Sequence, residues 1–422
     1  MKVALVAGVA LTALIATNGL AQERTLNILS HAVHQRVAHG DGDAALGGDI
    51  AGEWAERNNV TLNWITLNVD PIHERLLREL ALNETSIDLA FVVNSRFTPL
   101  LLDGLEPLGA LAGGEPVEDV DGIAEGLLRP VTIDGDLVAI PYRHTTNALI
   151  YNAAILAEHG FDGPPGSVGE LVEMARALTF TRDDGTRVHG LTFLGTASAT
   201  PLNFIGGFGA TYIADDLTVQ ADTPAMVEAF TMLAELFREG VLPPNITTTN
   251  LDDLISMVAN GQAAMAINPF ARYETLNDPT VSAYAGQIEV APFPAVEPGS
   301  TFANTEFWSM AIPQNSANKE LALSLIQELA RPENTIRAAL NGNGSVRQAD
   351  YADARVAEYL PYAAAEAAAL GMLEVTIPAF DRTAQAATLF IEEMQAAMLG
   401  IKSPEQAAAD LHVRAEELLA AD

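Results

Sequence analysis

The sequence predicts an α/β protein of two lobes, each a mostly parallel sheet flanked by helices, joined by three crossings of the chain. Three observations carry that prediction. At 422 residues the chain is longer than a single core usually supports. Its first hundred residues alternate strand and helix patterns, the arrangement of a parallel sheet with covering helices. Residues 143–147 (Arg-His-Thr-Thr-Asn) lie between two apolar strands, as a segment passing from one lobe to another does.

Residues 26–29 read as a short apolar strand, and 30–36 (Ser-His-Ala-Val-His-Gln-Arg) as the loop after it. A helix is expected over 49–57. Residues 60–67 set Val60, Leu62 and Trp64 against Thr61 and Asn63, the alternation of a half-buried strand. A second helix over 71–82 carries Leu76, Leu77 and Leu80 on one side. The run 88–93 is almost wholly apolar, which suits a strand covered on both faces. The loop that follows, Asn94 to Phe97, falls at the carboxyl edge, where open sheets of this class bind ligands.

The next stretch organises the rest. Asp134-Gly135-Asp136 is a tight turn between apolar runs. Pro141 cannot donate to a ladder and holds its predecessor extended, so the strand before it is expected to stop there. A second strand covers 148–151, leaving 143–147 as a wall of a cleft. Further on, Ser167-x-x-Glu170 is a capping box, opening a helix whose apolar face is Val168, Leu171, Val172, Ala175 and Leu178. Residues 189–193 are strand-like, and 196–203 form a loop with Thr196, Ser198, Thr200 and Asn203.

Helices are expected over 223–238 and 250–260, then a strand over 263–267 and an aromatic, polar segment over 268–273. A proline-interrupted strand at 288–293 and the aromatic-rich 301–312 make the second crossing. A helix over 316–330 precedes the third crossing at 341–345, and the remainder is alanine-rich helix. Residues 22–143 with 296–342 therefore form the first lobe, and 147–292 with 345–422 the second.

Composition narrows the function. A formal charge of −33 argues against nucleic acid and anionic membranes as partners. Residues 1–21 have a basic start at Lys2, an apolar core over 3–15 and a small-residue site ending at Ala21, a secretory signal too short to anchor. Without cysteine there is no disulfide, no thiolate metal site and no thiol to acylate. The mature chain is expected in the periplasm, with no stable membrane insertion. Three lysines stand against nineteen arginines. Arginine loops are candidates for planar, bidentate recognition, although a GC-rich genome gives the same ratio.

Catalytic signatures are missing. There is no Gly-x-Ser-x-Gly elbow, phosphate-binding loop or dinucleotide fingerprint, and Gly206-Gly-Phe-Gly209 reads as a tight packing point. His31-x-x-His34 would bring two imidazoles together only on a helix, and no zinc motif accompanies it. No metal and no cofactor are expected. Two alternatives remain open: a secreted carbohydrate-active enzyme using two of the many carboxylates, and a metal or siderophore carrier.

The first crossing, residues 258–267 with Gly261-Gln-Ala-Ala-Met265, the Val290-Ala-Pro-Phe-Pro block and Ile377-Pro-Ala-Phe380 together resemble the solute-binding proteins of bacterial ABC importers. The pattern is similar to that of the maltose-binding type and its sugar-binding cousins. The resemblance spans nearly all of residues 26–419. It implies the two-lobed type II periplasmic-binding-protein fold, a non-catalytic role, a small-molecule solute and permease subunits as partners, and a monomer. It also implies where ligand contacts fall. From the first lobe come His31, His34, Gln35 and Arg36, with Asn94, Ser95 and Arg96 where members hydrogen-bond sugar hydroxyls. Arg143 and Thr145 lie on the first crossing, and Glu306 and Trp308 on the second. From the second lobe come Ser198, Asn203, Phe270, Arg272, Phe380, Asp381 and Arg382. Several stacking positions hold Val92, Ala199 or Thr383 where maltodextrin binders carry aromatics, which favours a smaller or more polar solute. The arginines in these loops keep an anionic solute open: a sulfonated sugar, a uronate or a phosphodiester.

Overall fold

The computed structural model describes residues 24–41 and 46–421, so the signal read at residues 1–21 lies outside the described residues. Twelve strands are described: β1 (Arg24–Ser30), β2 (Val60–Thr66), β3 (Leu89–Val93), β4 (Thr132–Ile133), β5 (Asp136–Leu137), β6 (Ala139–Asn152), β7 (Phe180–Thr181), β8 (Arg187–Thr192), β9 (Ala263–Pro269), β10 (Ile288–Ala291), β11 (Ala303–Ala311) and β12 (Leu373–Glu374). Apart from the β4–β5 hairpin they make one sheet in the order β2-β1-β3-β11-β6-β9-β8-β7, with β10 on β6 and β12 on β11. β1 is parallel to β2 and β3, and β8 to β9. The strands that pass between lobes run antiparallel to these neighbours, so each lobe joins a parallel part to an antiparallel flank.

The first lobe forms as its sequence pattern dictates. β3 is buried along its whole length, and the helices Ile50–Asn58 and Val69–Leu80 join and cover the strands. Asp88, just before β3, accepts from the Asn27 amide at 2.8 Å, Ser316 Oγ at 3.1 Å and Asn318 Nδ2 at 2.9 Å. A carboxylate this buried needs such donors, and these tie β1 to the chain leaving β11. Asp134 (φ 52°) and Gly135 (φ 88°) form the two-residue turn of the β4–β5 hairpin, both with positive φ as a type I′ turn requires.

The crossing differs from the expectation in one respect. β6 does not stop at Pro141; it runs unbroken for 14 residues. It pairs with β11 up to Thr146, then with β9 from Asn147. The ladder to β11 slips between Trp308 and Ser309, so that Arg143 faces Trp308, Pro141 faces Ser309 and Tyr142 is the extra residue. A bulge tolerates a residue that cannot donate, which is why proline survives inside this strand. Residues 143–147 are half-buried or buried, none of them on an outer surface.

The third passage also moves. Residues 341–345 lie along the free edge of β6, where His144 N donates to Gly344 O at 3.2 Å and Asn343 Nδ2 to Tyr142 O at 2.7 Å. The chain then stays with the first core: Arg347 is clamped by Asp119, Glu118 O and Ala330 O, and Val346, Tyr351, Val356, Leu370 and Leu373 pack there. Ile377 and Phe380 are the next residues to pack into the second core, so the passage falls after β12, not at 341–345. The polar bonds that hold the buried Arg347 to Asp119, Glu118 O and Ala330 O decide this, against an Asn-Gly run that only looked like a linker.

In the second lobe Ser167 caps the helix Val168–Ala177 by accepting from Glu170 N. Residues 199–207 form a helix where a loop was expected over 196–203. The packing point at Gly206 and Gly207 is borne out: a Cβ would come within 2.2 Å of the Phe302 ring and 2.6 Å of the Phe293 ring.

Candidate functional site

Strand alternation sorts the crossing residues onto two faces. Glu306 faces Thr145 and Trp308 faces Arg143, so these four share one face; Thr305 with Thr146 and Phe307 with His144 share the other. The carboxyl ends of β1 and β3 deliver their following residues to the first face. The Trp308 ring lies 6.2 Å from His31 and 4.7 Å, edge-on, from His34. Ser95 Oγ donates to Glu306 Oε2 at 3.0 Å.

The segment carrying His31 and His34 is a helix, Ala32–His39, where a loop was expected; His31 caps it by accepting from Val33 N. The two imidazoles do approach, with ring centres 6.3 Å apart. His34 is fully buried, stacked on Phe91 at 4.5 Å and hydrogen-bonded through Nδ1 to Ser30 at 3.1 Å. Among the described residues no three metal-binding side chains gather. Burial, with the positive charge of Arg143, holds His34 well below its ordinary pKa, and His31 is lowered by burial, Arg143 and Arg36. Both are neutral near pH 7. Gln35 is half-buried and Arg36 exposed on the same helix.

Arg143 is half-buried, and its Nη1 donates to Gly342 O at 3.2 Å and Asn343 Oδ1 at 3.3 Å. Burial, and next Glu366 in the opposite sense, act on its charge. Glu306 is open to water along one side yet surrounded by protein elsewhere. Burial raises its carboxyl, with Ser95 and Arg96 pulling the other way.

Other expected contacts prove to have structural tasks. Asn94 is buried: its Oδ1 accepts from Phe307 N at 2.8 Å and its Nδ2 reaches Thr305 O at 3.4 Å. Arg96 pairs with Asp70 at 2.8 Å. Asn203 is buried and accepts from Asn304 N at 2.7 Å, clasping the helix Ala199–Gly207 to β11. Asn147 and Asn304 both donate to Ala199 O, so the amino end of that helix, with Ser198 half-buried beside it, borders the crossing. Phe270 is core, stacked on Tyr362 at 6.0 Å. Arg272 is half-buried with its Nε enclosed and unpartnered, and burial lowers it. Phe380 is 1% exposed in the second core. Asp381 is exposed, and Arg382 donates to Ala421 O at 2.7 Å, toward the last helix. The Ile377-Pro-Ala-Phe380 block thus fills a core instead of offering an aromatic to a ligand.

Sequence reasoning missed a buried cluster behind the crossing. His144 Nδ1 meets Thr146 Oγ1 at 2.8 Å and Nε2 meets Tyr351 at 2.9 Å; Glu366 Oε1 is 3.9 Å from Nε2. Burial, reinforced by Arg143, takes His144 down to about 3, and burial takes Glu366 up to about 7 against the pull of Tyr351 and Arg143. Nothing in an alanine-rich helix pattern marks Glu366. A separate cavity of about 380 Å³, lined by Phe97, Arg129, Asp215 and Ile377, lies on the Phe97 side of the crossing strands. Its one cation, Arg129, is already paired with Asp215 at 3.3 Å, so the Trp308 face is the better candidate.

Comparison with known proteins agrees with this architecture. The sugar-binding protein MalE from the phytopathogen Xanthomonas citri superposes with a TM-score of 0.81 at 18% identity, covering 94% of this chain and 97% of that one. A probable ABC transporter-binding protein of Deinococcus radiodurans is 24% identical over 320 residues, 74% of this chain and 75% of its own length. The erythritol/L-threitol-binding protein of Mycolicibacterium smegmatis is 26% identical over 311 residues, 67% of this chain and 64% of its own. The bacterial extracellular solute-binding protein family matches residues 39–336. Among the described residues no helix is long and apolar enough to cross a membrane. The chain belongs to the bacterial extracellular solute-binding proteins.

Proposed function

We propose that this chain is the periplasmic binding component of an ABC importer, that it captures a sugar, polyol or close derivative between its lobes, and that it hands the solute to the permease unchanged. The observation that carries the reading is the crossing face: Arg143, Thr145, Glu306 and Trp308 stand side by side on two strands that connect the lobes. Polar groups for fixing a solute and an aromatic surface for its apolar side are what a small-molecule cleft supplies. His31, Ser95 and Arg36 extend this wall from the first lobe, and Ser198 and Arg272 are the contacts on the second. The relative named for erythritol and L-threitol supports the solute class.

The mechanism follows from the connections. A solute held by both lobes favours the closed arrangement, and occupancy then sets the shape presented to the permease. A thermal-shift screen over pentitols, hexitols, hexoses and their acids tests the reading, since a ligand bound only by the folded form raises the melting temperature. A rise of several degrees with one class, and recovery of that compound unaltered, is the expected result. Turnover of a glycan would defeat it. Secretion is tested by the intact mass of the exported protein, which should begin at Gln22.

A further inference from the structure

Among the described residues at least eleven arginines sit within salt-bridge reach of a carboxylate, among them Arg57, Arg96, Arg176 and Arg337. Arg36 and Arg143 do not, among the described residues, although 55 acidic side chains are present. Their position makes this informative. Arg143 reaches from the Trp308 face toward the residues 341–343 loop; it and Arg36 both disfavour a positive charge on His31, and Arg36 does the same to Arg143.

The way Arg143 is held adds the second argument. A carbonyl oxygen and an amide oxygen grip Nη1. Neutral acceptors fix the plane of the guanidinium and leave its charge in place. Its Nε and Nη2 donate to nothing among the described residues, and neither is enclosed. That edge is the one that takes a carboxylate, sulfonate or phosphate through two parallel hydrogen bonds. Across the same face, Ser95 and Glu306 offer a hydroxyl and a carboxylate suited to sugar hydroxyls.

We infer that the solute is an acidic sugar derivative, its anionic group seated on the open edge of Arg143 with Arg36 alongside and its hydroxyls directed to Glu306 and Ser95. The inference rests on the solute-binding reading and goes further by naming the charge and the corner that takes it.

Calorimetry with matched pairs tests it: ribitol with ribonate, glucose with gluconate and glucuronate, and glucose with glucose 6-phosphate. One acid should bind about 100-fold more tightly than its neutral partner, roughly what a charge-assisted bidentate pair supplies. Its affinity should fall as salt is raised. Arg143→Gln should remove most of that preference, weakening the acid far more than its neutral partner. Arg36→Gln, at an exposed position with no folding burden, should weaken the acid in the same direction. Neutral sugars bound as tightly as their acids, or Arg143→Gln weakening both alike, would overturn the charge inference and leave the solute-binding reading standing. No binding by any member of either class would overturn both.

Discussion

Trp308 and Arg143 are register partners across the two crossing strands, and the ladder between those strands slips by one residue immediately beyond them. The bulge places an aromatic ring and a guanidinium side by side where the two strands pass between lobes. Trp308 is only 6% exposed and is packed by His34, so it reports on the cleft while belonging to the core. Of the three tryptophans, Trp54 is buried in the first lobe and Trp64 is half-buried against His39. Solute binding should therefore change the emission of Trp308, and Trp308→Phe should abolish that change while the protein stays folded by circular dichroism. A ligand-dependent signal that survives in Trp308→Phe would place the solute elsewhere.

Asn94 continues the β3–β11 ladder past the end of β3 with its side chain. Asn94→Ala should leave the Phe307 amide unpartnered and cost about 1–3 kcal/mol in urea denaturation, with solute affinity changed by less than about threefold. A large affinity loss at unchanged stability would return Asn94 to the role of a sugar contact.

Gly344 lies where the loop touches the crossing strand. A Cβ there would come within 2.3 Å of His144 O, a backbone atom that cannot swing aside. Gly344→Ala should push the loop off β6, breaking the bonds from His144 N and Asn343, and lower stability by about 2–4 kcal/mol. Because Gly342 and Asn343 hold Arg143, acid affinity should fall as well. Wild-type melting would show that the loop is free to shift.

The cluster behind the crossing gives a pH signature. Glu366, raised to about 7 from its ordinary 4.5, contributes stability that is full below about pH 4.5 and is lost as pH rises through 7. His144, lowered to about 3, contributes stability present above about pH 6.5 and lost as pH falls toward 3; His34 acts in the same sense. The terms oppose each other between pH 4.5 and 6.5. Glu366→Gln removes only the first, so the variant should gain on wild type between pH 5 and pH 8 by on the order of 1–3 kcal/mol. A stability difference that is flat across that range would show that Glu366 is ionised throughout.

The strands and the lobe-to-lobe passage were legible because apolar runs, alternation and the Asp134-Gly135 turn are local signals. What escaped was set by tertiary contacts. The helix Ala32–His39 has little apolar periodicity and an unusual histidine cap; the stacking of His34 on Phe91 supplies what the local sequence lacks. The helix Ala199–Gly207 has Thr200 and Pro201 in its first turn, which read as loop until Asn147 and Asn304 clasp Ala199 and Asn203 ties the helix to Asn304. Pro141 looked like a terminator because a bulge depends on the partner strand, which local reading does not see. At the site, polarity marked residues 143–147 as a crossing, whereas Glu306, Trp308 and residues 380–382 were placed by the family resemblance, the last by a motif whose aromatic turned inward.

The unbroken strand from Ala139 to Asn152 has a thermodynamic corollary. Neither core can melt without stripping hydrogen bonds from a ribbon that the other core also uses, so the two halves should denature in one cooperative event. A guest gripping either half would then delay the loss of both, and amide exchange along the ribbon should slow evenly on either side of Thr146.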